Sequence, residues 1–254
     1  MSHHIVEVKN LCHSYPDGTR ALDSVSFIIT HGESVGIIGA NGAGKSTLIQ
    51  HLNGSLQSTA GSIHIGHTPL SKDTLPDIRR TVGMVFQDPD DQLFMPTVFD
   101  DVAFGPCNLG YSPADVEQRV TEVLDLVGAG HLRDKPPYHL SGGEKKRVAI
   151  ATVLAMSPDI LAMDEPTSGL DPYARRQVIA LLQGFQHTKI ITSHDLDLVL
   201  ELCPRIIILH DGKIIADGAA LELFNDVKLL ERCRLEQPLS MQSCGYCRKV
   251  AYTH

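Results

Sequence analysis

Short apolar runs alternate with glycine-rich or charged turns along most of the chain. The run at residues 160–163, Ile-Leu-Ala-Met, is apolar at every position, which is typical of a strand at the centre of a parallel sheet. Several shorter runs indicate further strands, and the last two flank an Asp-Gly pair that predicts a hairpin. Together the runs predict strands at residues 5–9, 24–29, 35–38, 61–66, 81–86, 160–163, 190–192, 205–209 and 213–216.

Helices are predicted from apolar residues at helical spacing and from start signals. Ser112-Pro113 combines a capping serine with proline at the first helical position, and apolar residues then recur as far as Gly128. Strands and helices in this order fit one α/β domain, and 254 residues can hold such a core with subsidiary lobes. We expect further helices from Lys45, at residues 98–104 (closed by Gly105-Pro106), at 145–156 and from Asp171 to about residue 185.

Composition and charge narrow the function. The formal net charge of −8 argues against a surface that coats nucleic acid, because neutralising phosphates requires clustered lysine and arginine. No apolar run approaches the roughly 20 residues that cross a bilayer. The first residues also lack the basic end and apolar core of a signal peptide. We therefore expect a cytosolic protein with no nucleic-acid partner, which reaches a membrane only through another protein.

The cysteines suggest reduced thiols. They stand at positions 12, 107, 203, 233, 244 and 247, which is too scattered for a disulfide framework. Of these, only Cys244 and Cys247 have the spacing of metal ligands. A structural zinc would need two further ligands, for which Cys233 and His254 are the candidates. We favour a loosely ordered tail over a zinc site.

The run at residues 35–38 leads through a glycine-rich turn into a helix. Gly39, four further residues and Gly44-Lys45-Ser46 fit the phosphate-binding loop. Glycines let backbone N–H groups surround phosphate oxygens, and the helix start adds free N–H groups and a positive dipole end. Lys45 is expected to reach the β- and γ-phosphates, and Ser46 to bind Mg²⁺. The predicted nucleotide-binding residues of this segment are Gly39, Asn41, Gly42, Ala43, Gly44, Lys45, Ser46 and Thr47.

Further candidate residues follow other buried runs. Asp164 and Glu165 end the most apolar strand. Asp164 is expected to hold Mg²⁺ and Glu165 to act as general base on the attacking water; a helix cap or an ion pair is the alternative. His194 follows another buried strand, at the edge where ligands bind such sheets, and is placed to reach the γ-phosphate. Ser141-Gly142-Gly143 opens a helix and offers a second anion site.

Together these residues resemble the ATP-binding cassette (ABC) ATPase family, from Tyr15 to about Gly218. Tyr15 takes the place of the aromatic residue that stacks on adenine, whereas its position alone leaves it equally able to cover the sheet. Glu144 stands where many members have glutamine. The resemblance assigns residues 39–46 to the Walker A loop, Gln87 to the Q-loop (with a part in Mg²⁺ binding and catalysis), 140–144 to the signature, 160–165 to Walker B, 168–171 with Asp171 to the D-loop and His194 to the switch histidine.

The resemblance implies the architecture and the cofactors, ATP and Mg²⁺. The fold is expected to be α/β: a P-loop NTPase core with an antiparallel β subdomain and an α-helical signature subdomain. The nucleotide-binding domain would span residues 1–235, with the helical subdomain at about 88–157 and an irregular tail at 236–254. In the family two cassettes close head to tail, and each signature serine contacts ATP on the opposite Walker A loop. One cassette therefore implies a dimer with a second copy.

Two stretches narrow the resemblance. Residues 86–110, which begin Phe-Gln-Asp-Pro-Asp-Asp-Gln-Leu-Phe, and residues 140–151 resemble energy-coupling factor importers. By resemblance, the ATPase works at the cytoplasmic face of the cell membrane with a transmembrane scaffold subunit and a membrane substrate-binding subunit. The short tail looks most like the dedicated cobalt or nickel systems, whose ATPase is typically a homodimer.

Other readings remain open at this point. A vitamin-type energy-coupling ATPase, which typically pairs two different and longer cassettes, and an ordinary importer cassette are the first alternatives. A soluble ABC ATPase that acts on DNA or ribosomes would usually carry two cassettes or a long coiled coil, whereas residues 46–140 show only compact α/β patterning. A phosphate-loop kinase would not need Ser141-Gly142-Gly143, His194 or a water-activating Glu165.

The acidic segment at residues 88–106 is a candidate partner surface. It holds five aspartates and neither lysine nor arginine, together with Leu93, Phe94, Met95 and Phe99. An apolar patch rimmed by charge usually marks an interaction site. We expect a groove here for a basic cytoplasmic helix of the membrane scaffold; the alternative is a helical lobe that packs its own small core.

Overall fold

The computed structural model describes residues 4–242 of the chain. The strands are β1 (His4–Ser14), β2 (Arg20–Thr30), β3 (Ser34–Ile38), β4 (Ala60–Ile65), β5 (Thr68–Pro69), β6 (Val82–Val85), β7 (Ile160–Asp164), β8 (Thr188–Thr192), β9 (Arg205–His210) and β10 (Lys213–Ala219). The α-helices are α1 (Lys45–Leu52), α2 (Leu75–Thr81), α3 (Val98–Asn108), α4 (Pro113–Leu126), α5 (Gly142–Leu154), α6 (Pro172–Gly184), α7 (Leu196–Leu202), α8 (Ala220–Asn225) and α9 (Val227–Arg232). Single 3-10 turns lie at Pro89–Asp91, Gly130–Leu132, Pro137–His139 and Leu239–Met241.

The larger sheet is mostly parallel and has the order β10-β9-β3-β8-β7-β6. In register, Val35 of β3 lies beside Ile190 of β8 on one side and Arg205 of β9 on the other. β6, β7 and β8 run in the same direction as β3, and β10 is antiparallel to β9. Because β3, β8, β7 and β6 are adjacent and parallel, the segments that leave their carboxyl ends meet along one edge of the sheet.

The parallel sheet separates two apolar cores. Along β7, Ile160 and Ala162 join the core beneath a second, antiparallel sheet of order β2-β1-β4-β5, which also encloses α1. Leu161 and Met163 face the opposite core, which the sheet shares with α3 to α9. A strand that is buried on both faces has no solvent-exposed positions, so its polar and apolar residues do not alternate. This explains the continuous apolar run at residues 160–163.

The predicted fold class is confirmed: the chain combines a mostly parallel α/β core with an antiparallel sheet and a group of helices, α3 to α5. The predicted strands are present, although β1 and β2 are each several residues longer than expected. The short elements β5, α2, α7, α8 and α9 have seven residues or fewer and were not predicted. Elements this short contain too few apolar positions to show the periodicity of a helix or a strand.

One predicted helix end was wrong. α3 was expected to close at Gly105-Pro106, yet it continues to Asn108. Pro106 lies in the last turn and donates no backbone hydrogen bond. The chain nevertheless stays helical past it, because the backbone N–H of Leu109 reaches the carbonyl oxygens of Gly105 and Pro106. Gly105 also allows close packing, because a Cβ there would lie 2.6 Å from Cγ of Met156.

The described part of the tail packs on the domain. The backbone N–H groups of Leu239 and Ser240 donate to the carboxylate of Asp197 on α7, and Gln237 donates to the carbonyl oxygen of Phe224. Cys233, considered above as a zinc ligand, is fully buried in the helical core. Cys244, Cys247 and His254 lie outside the described residues.

Within residues 4–242, no helix is both long enough and apolar enough to cross a membrane.

Candidate active site

The phosphate-loop segment joins β3 to α1 in a conformation that needs its glycines. A Cβ on Gly39 would lie 2.3 Å from the carbonyl oxygen of Leu209. Gly44 has φ 102°, and a Cβ there would lie 2.5 Å from the carbonyl oxygen of Ala21. No other residue type fits both positions without displacing backbone. Residues 41–47, from the turn into the start of α1, line an open pocket.

Lys45 is held at the floor of this pocket. Its Nζ donates to the carbonyl oxygens of Gly39 (2.9 Å) and Ala40 (3.2 Å) and lies 3.1 Å from Nε2 of His194. An ammonium group only donates, so Nε2 of His194 accepts in this contact. Burial lowers the pKa of Lys45, and the nearby carboxylates of Glu165 and Asp164 act in the opposite direction. Polar groups of three loops thus surround one cation.

The two carboxylates at the end of β7, Asp164 and Glu165, are anchored to β8 and the residues that follow it. Asp164 is buried and accepts a hydrogen bond from the hydroxyl of Thr192. Oε2 of Glu165 accepts from the hydroxyl of Ser193 and from the backbone N–H of His194, each at 3.1 Å. Oε1 of Glu165 has no hydrogen-bond partner among the described residues and lies 3.4 Å from Nε2 of His194. One carboxylate oxygen is therefore buried at the site without a hydrogen-bond partner among the described residues.

Glu165 also has an unusual backbone. Its φ of 48° is left-handed, a conformation that costs a residue with a Cβ on the order of 1–3 kcal/mol. The backbone N–H of Glu165 donates to the carbonyl oxygen of Thr192 at 3.0 Å, which holds this turn against β8. Strain retained in such a turn is common at functional sites.

The pocket has a volume of about 330 Å³ and combines five chain segments. Gln87, just after β6, reaches it together with Glu165 and His194, as the strand order requires. Thr19, Arg20 and Ala21, which sequence reasoning missed, complete one wall, because the start of β2 folds over the phosphate loop. The full lining is Thr19, Arg20, Ala21, Asn41, Gly42, Ala43, Gly44, Lys45, Ser46, Thr47, Gln87, Glu165 and His194.

Tyr15 lies beside the phosphate loop rather than among the residues that line the pocket. Its hydroxyl is 2.9 Å from the Thr47 hydroxyl, and its ring meets the His13 ring edge-on. More than a third of the Tyr15 side chain is exposed. An aromatic ring therefore lies partly exposed next to the phosphate-binding segment.

The signature residues stand apart from this pocket. Ser141 caps α5 and forms a reciprocal capping box with Glu144, whose Oε2 accepts from the backbone N–H (2.8 Å) and hydroxyl (2.7 Å) of Ser141. This gives the glutamate at the fifth signature position a structural role. Asp171 caps α6 by accepting from the N–H groups of residues 173 and 174. Neither Ser141, Gly142, Gly143 nor Asp171 lines the phosphate-loop pocket.

A glycine-rich loop at the edge of a parallel sheet, followed by a helix and accompanied at the same edge by the carboxylates that end β7, defines a P-loop nucleotide-binding protein. Comparison with known proteins gives the family. The ABC transporter family model matches residues 22–168, and the chain belongs to that family of ATPases, in which ATP hydrolysis is coupled to transport.

Two curated relatives match nearly the whole chain. An ABC transporter ATP-binding protein of Geobacter sulfurreducens is 68% identical, over 97% of this chain and 99% of its own length. An energy-coupling factor transporter ATP-binding protein of Methanospirillum hungatei is 44% identical, over 99% and 94%.

Two solved structures share the fold. CbiO1 of Clostridium perfringens, described as part of the ABC transporter complex cbiONQ, aligns with a TM-score of 0.79 at 39% identity, covering 91% of this chain and 94% of that one. A dimeric ATP-binding cassette in a post-hydrolysis state with ADP and phosphate aligns with a TM-score of 0.77 at 30% identity, covering 85% and 98%.

Proposed function

We propose that this chain is the ATP-hydrolysing subunit of an energy-coupling factor importer for cobalt or nickel ions, acting as a homodimer at the cytoplasmic face of the cell membrane. The observation that carries the hydrolytic role is the free Oε1 of Glu165, a buried carboxylate oxygen beside a loop shaped for phosphates. The relative from Methanospirillum hungatei and the similarity to CbiO1 support the transport role.

In this proposal the pocket holds the triphosphate of ATP. Residues 39–47 surround the phosphates with backbone N–H groups, and the ammonium of Lys45 exchanges its carbonyl partners for β- and γ-phosphate oxygens. Glu165 accepts the proton of the attacking water, for which its free oxygen is suited. His194, released from Lys45, contacts the γ-phosphate, and the exposed ring of Tyr15 stacks on the adenine.

The donor atoms at the same edge fit Mg²⁺. This ion prefers oxygen ligands, and the exposed hydroxyl of Ser46, the carboxylate of Asp164 and the side-chain amide of Gln87 supply them. We propose these three residues as the site that holds Mg²⁺ directly or through its waters. Bound there, the ion would neutralise phosphate charge.

The separation of the signature from the pocket favours two composite sites. Ser141 is exposed at the start of α5, where α-helix N–H groups and the dipole suit an anion. In one chain it does not line the phosphate-loop pocket. We propose that two copies close so that Ser141 to Gly143 and Asp171 of one copy face the nucleotide bound by the other. The dimeric cassette with ADP and phosphate is a precedent for association of this fold.

A groove on α3 is the proposed docking site for the membrane scaffold. It has a volume of about 540 Å³ and is lined by Met95, Phe99, Asp100, Ala103, Phe104, Cys107, Tyr111, Pro113, Val116 and Glu117. Phe94 and Phe104 stack edge-on beside it and are 65% and 46% exposed. The acidic groups at Asp100 and Glu117 suit a basic helix.

In this proposal the acidic segment at residues 88–106 serves both of the roles considered for it, docking and packing. Leu93, Val98 and Val102 are buried in the helical core, as the packing alternative required. Asp101 is buried as well and accepts from the N–H groups of Phe94 and Met95; its burial raises the pKa of its carboxyl. Asp90 pairs with Lys145, so Phe94 and Phe104 test docking more cleanly than the aspartates do.

Replacing the exposed phenylalanines tests this docking site. Phe94→Ser with Phe104→Ser should abolish assembly with the membrane scaffold, and ion uptake with it, while the purified protein hydrolyses ATP as before. Leu221→Ser, at a side chain that is 61% exposed on α8, is the matched control. Uptake at the control level by the double variant would remove the groove from the docking role.

The transported ion is tested by purifying the assembly from cells and reconstituting it in vesicles. We expect the chain to copurify with membrane subunits and ATP to drive accumulation of radiolabelled cobalt or nickel. Accumulation of a vitamin but of neither ion would replace the cobalt or nickel assignment with a vitamin-type importer. Isolation of an active ATPase that never binds a membrane subunit would overturn the importer assignment itself.

A further inference from the structure

Lys146 is a fully buried lysine five residues after the signature serine. Its side chain is 1% exposed, and Nζ donates to the carbonyl oxygens of Gln87 (2.7 Å) and Phe86 (3.3 Å). Burial lowers its pKa, against the attraction of Asp88, Asp164 and Glu165. Burying an ammonium group costs several kcal/mol unless it is hydrogen-bonded. A leucine or methionine would fill this position without that cost, so its presence calls for a role.

A second side chain binds the other backbone group of Phe86. Oε1 of Gln92 accepts from the backbone N–H of Phe86 at 3.1 Å. Its Nε2 donates to the carbonyl oxygen of Ala149 and to the hydroxyl of Thr152 on α5, each at 2.7 Å. Both the N–H and the carbonyl of Phe86 are therefore bound through side chains to α5. β6 ends at Val85, so these contacts begin where sheet pairing stops.

The contacts connect two functional segments. α5 begins at the exposed Ser141-Gly142-Gly143, and the clamped peptide leads directly to Gln87. Gln87 lines the phosphate-loop pocket and also a neighbouring pocket of about 360 Å³ that it shares with Gly142. Because α5 is a continuous helix of 13 residues, a displacement of its N-terminus moves Lys146 and Ala149 with it.

We propose that Lys146 is a positioning residue: it fastens the backbone of Gln87 to the signature helix, so that movement of this helix on dimer closure sets the Gln87 amide at the nucleotide. Gln92 holds the backbone N–H of Phe86, the residue before Gln87, and acts together with Lys146. This inference rests on the proposed function, since it assumes that Gln87 acts on bound nucleotide and that Ser141 meets the partner's ATP. Lys146 itself touches neither nucleotide nor Mg²⁺.

The test replaces Lys146 with methionine, which keeps a similar side-chain length and the apolar packing but removes the N–H donors of the side chain. Lys145→Met is the matched control, because Lys145 is the preceding residue of α5 and pairs only at the surface with Asp90. In the Lys146→Met variant we expect ATP affinity within about threefold of the parent. We expect kcat to fall by about tenfold or more, since slight misplacement of a reacting group has effects of this size. The control should retain both values.

A second readout reports the loop itself. The chain has no tryptophan, so Asp91→Trp, at an exposed position in the 3-10 turn after Gln87, places one fluorophore beside the clamp. In a Glu165→Gln background, ATP should change its emission; adding Lys146→Met should remove most of that change while ATP still binds. If Lys146 served stability alone, Lys146→Met would lower the melting temperature, and bound ATP would still change the emission.

The outcomes separate the two proposals. If the parent does not hydrolyse ATP, the proposed function fails. If the parent does so and Lys146→Met matches it in kcat and in the emission change, only the role of Lys146 is overturned. Should Lys146→Met fail to fold, Gln92→Met, which removes the other connection, must show the same loss of kcat at unchanged ATP affinity; parental kcat there would equally overturn the proposal.

Discussion

Glu165→Gln is the substitution whose effect follows most directly from the site. The amide oxygen can replace Oε2 and keep the hydrogen bonds from Ser193 and the backbone of His194. The amide nitrogen then occupies the place of Oε1, which has no hydrogen-bond partner among the described residues, so no bond of the fold is broken. An amide cannot take up the proton of the attacking water. We therefore expect nearly parental folding and ATP binding with little hydrolysis.

The magnitude follows from the role. Loss of a positioned general base costs about 10²- to 10⁴-fold in rate, or about 2.7–5.4 kcal/mol in the activation barrier. The assay is phosphate release at saturating ATP, with ATP-dependent dimerisation followed by light scattering. Glu222→Gln, at an exposed carboxylate on α8, is the control. Turnover of Glu165→Gln within threefold of the control would show that Glu165 is not the base.

Three further predictions concern the loop and its support. Lys45→Ala should weaken ATP binding itself, because it deletes the cation that faces the phosphates; unchanged affinity in equilibrium titration would contradict the phosphate-loop assignment. Gly44→Ala should destabilise the fold by about 1–3 kcal/mol in urea unfolding, since the residue has φ 102° and no room for a Cβ; parental stability would contradict this geometry. Burial lowers the pKa of His51, whose Nδ1 donates to the carbonyl oxygen of Thr47. As the pH falls below about 6.5, His51 therefore takes up a proton in the unfolded chain before it does so in the folded one. The free energy of unfolding should then decrease with falling pH, and it should decrease less in His51→Gln. The same pH dependence in both proteins would exclude His51 as the cause.

Much of the site was predictable because its parts are local. The phosphate loop is a contiguous segment, and Asp164 and His194 each follow an apolar strand. That Gln87, Glu165 and His194 would meet depends on the strand order β3-β8-β7-β6, which periodicity does not specify. The family resemblance supplied this arrangement instead.

The features that were missed arise from long-range packing. The wall at Arg20 depends on how β2 folds over the phosphate loop, and the contact between Lys45 and His194 joins residues 149 positions apart. The sequence predicted Lys146 only as one residue of the helix at 145–156, and lysine is normally exposed. Its burial depends on the carbonyl groups of Phe86 and Gln87, in a loop about 60 residues away in sequence. The spacing of apolar residues along a helix does not predict such a contact.

The central claim, two composite ATP sites in a homodimer, is tested most directly by mixing two inactive variants. Lys45→Ala damages the phosphate loop, and Ser141→Arg damages the signature helix start. If the sites are shared between chains, a heterodimer places both defects in one site and leaves the other intact. A 1:1 mixture should then regain ATP hydrolysis well above either parent. If subunit exchange is verified by labelled chains and no mixture exceeds its inactive parents, the sites do not form between chains.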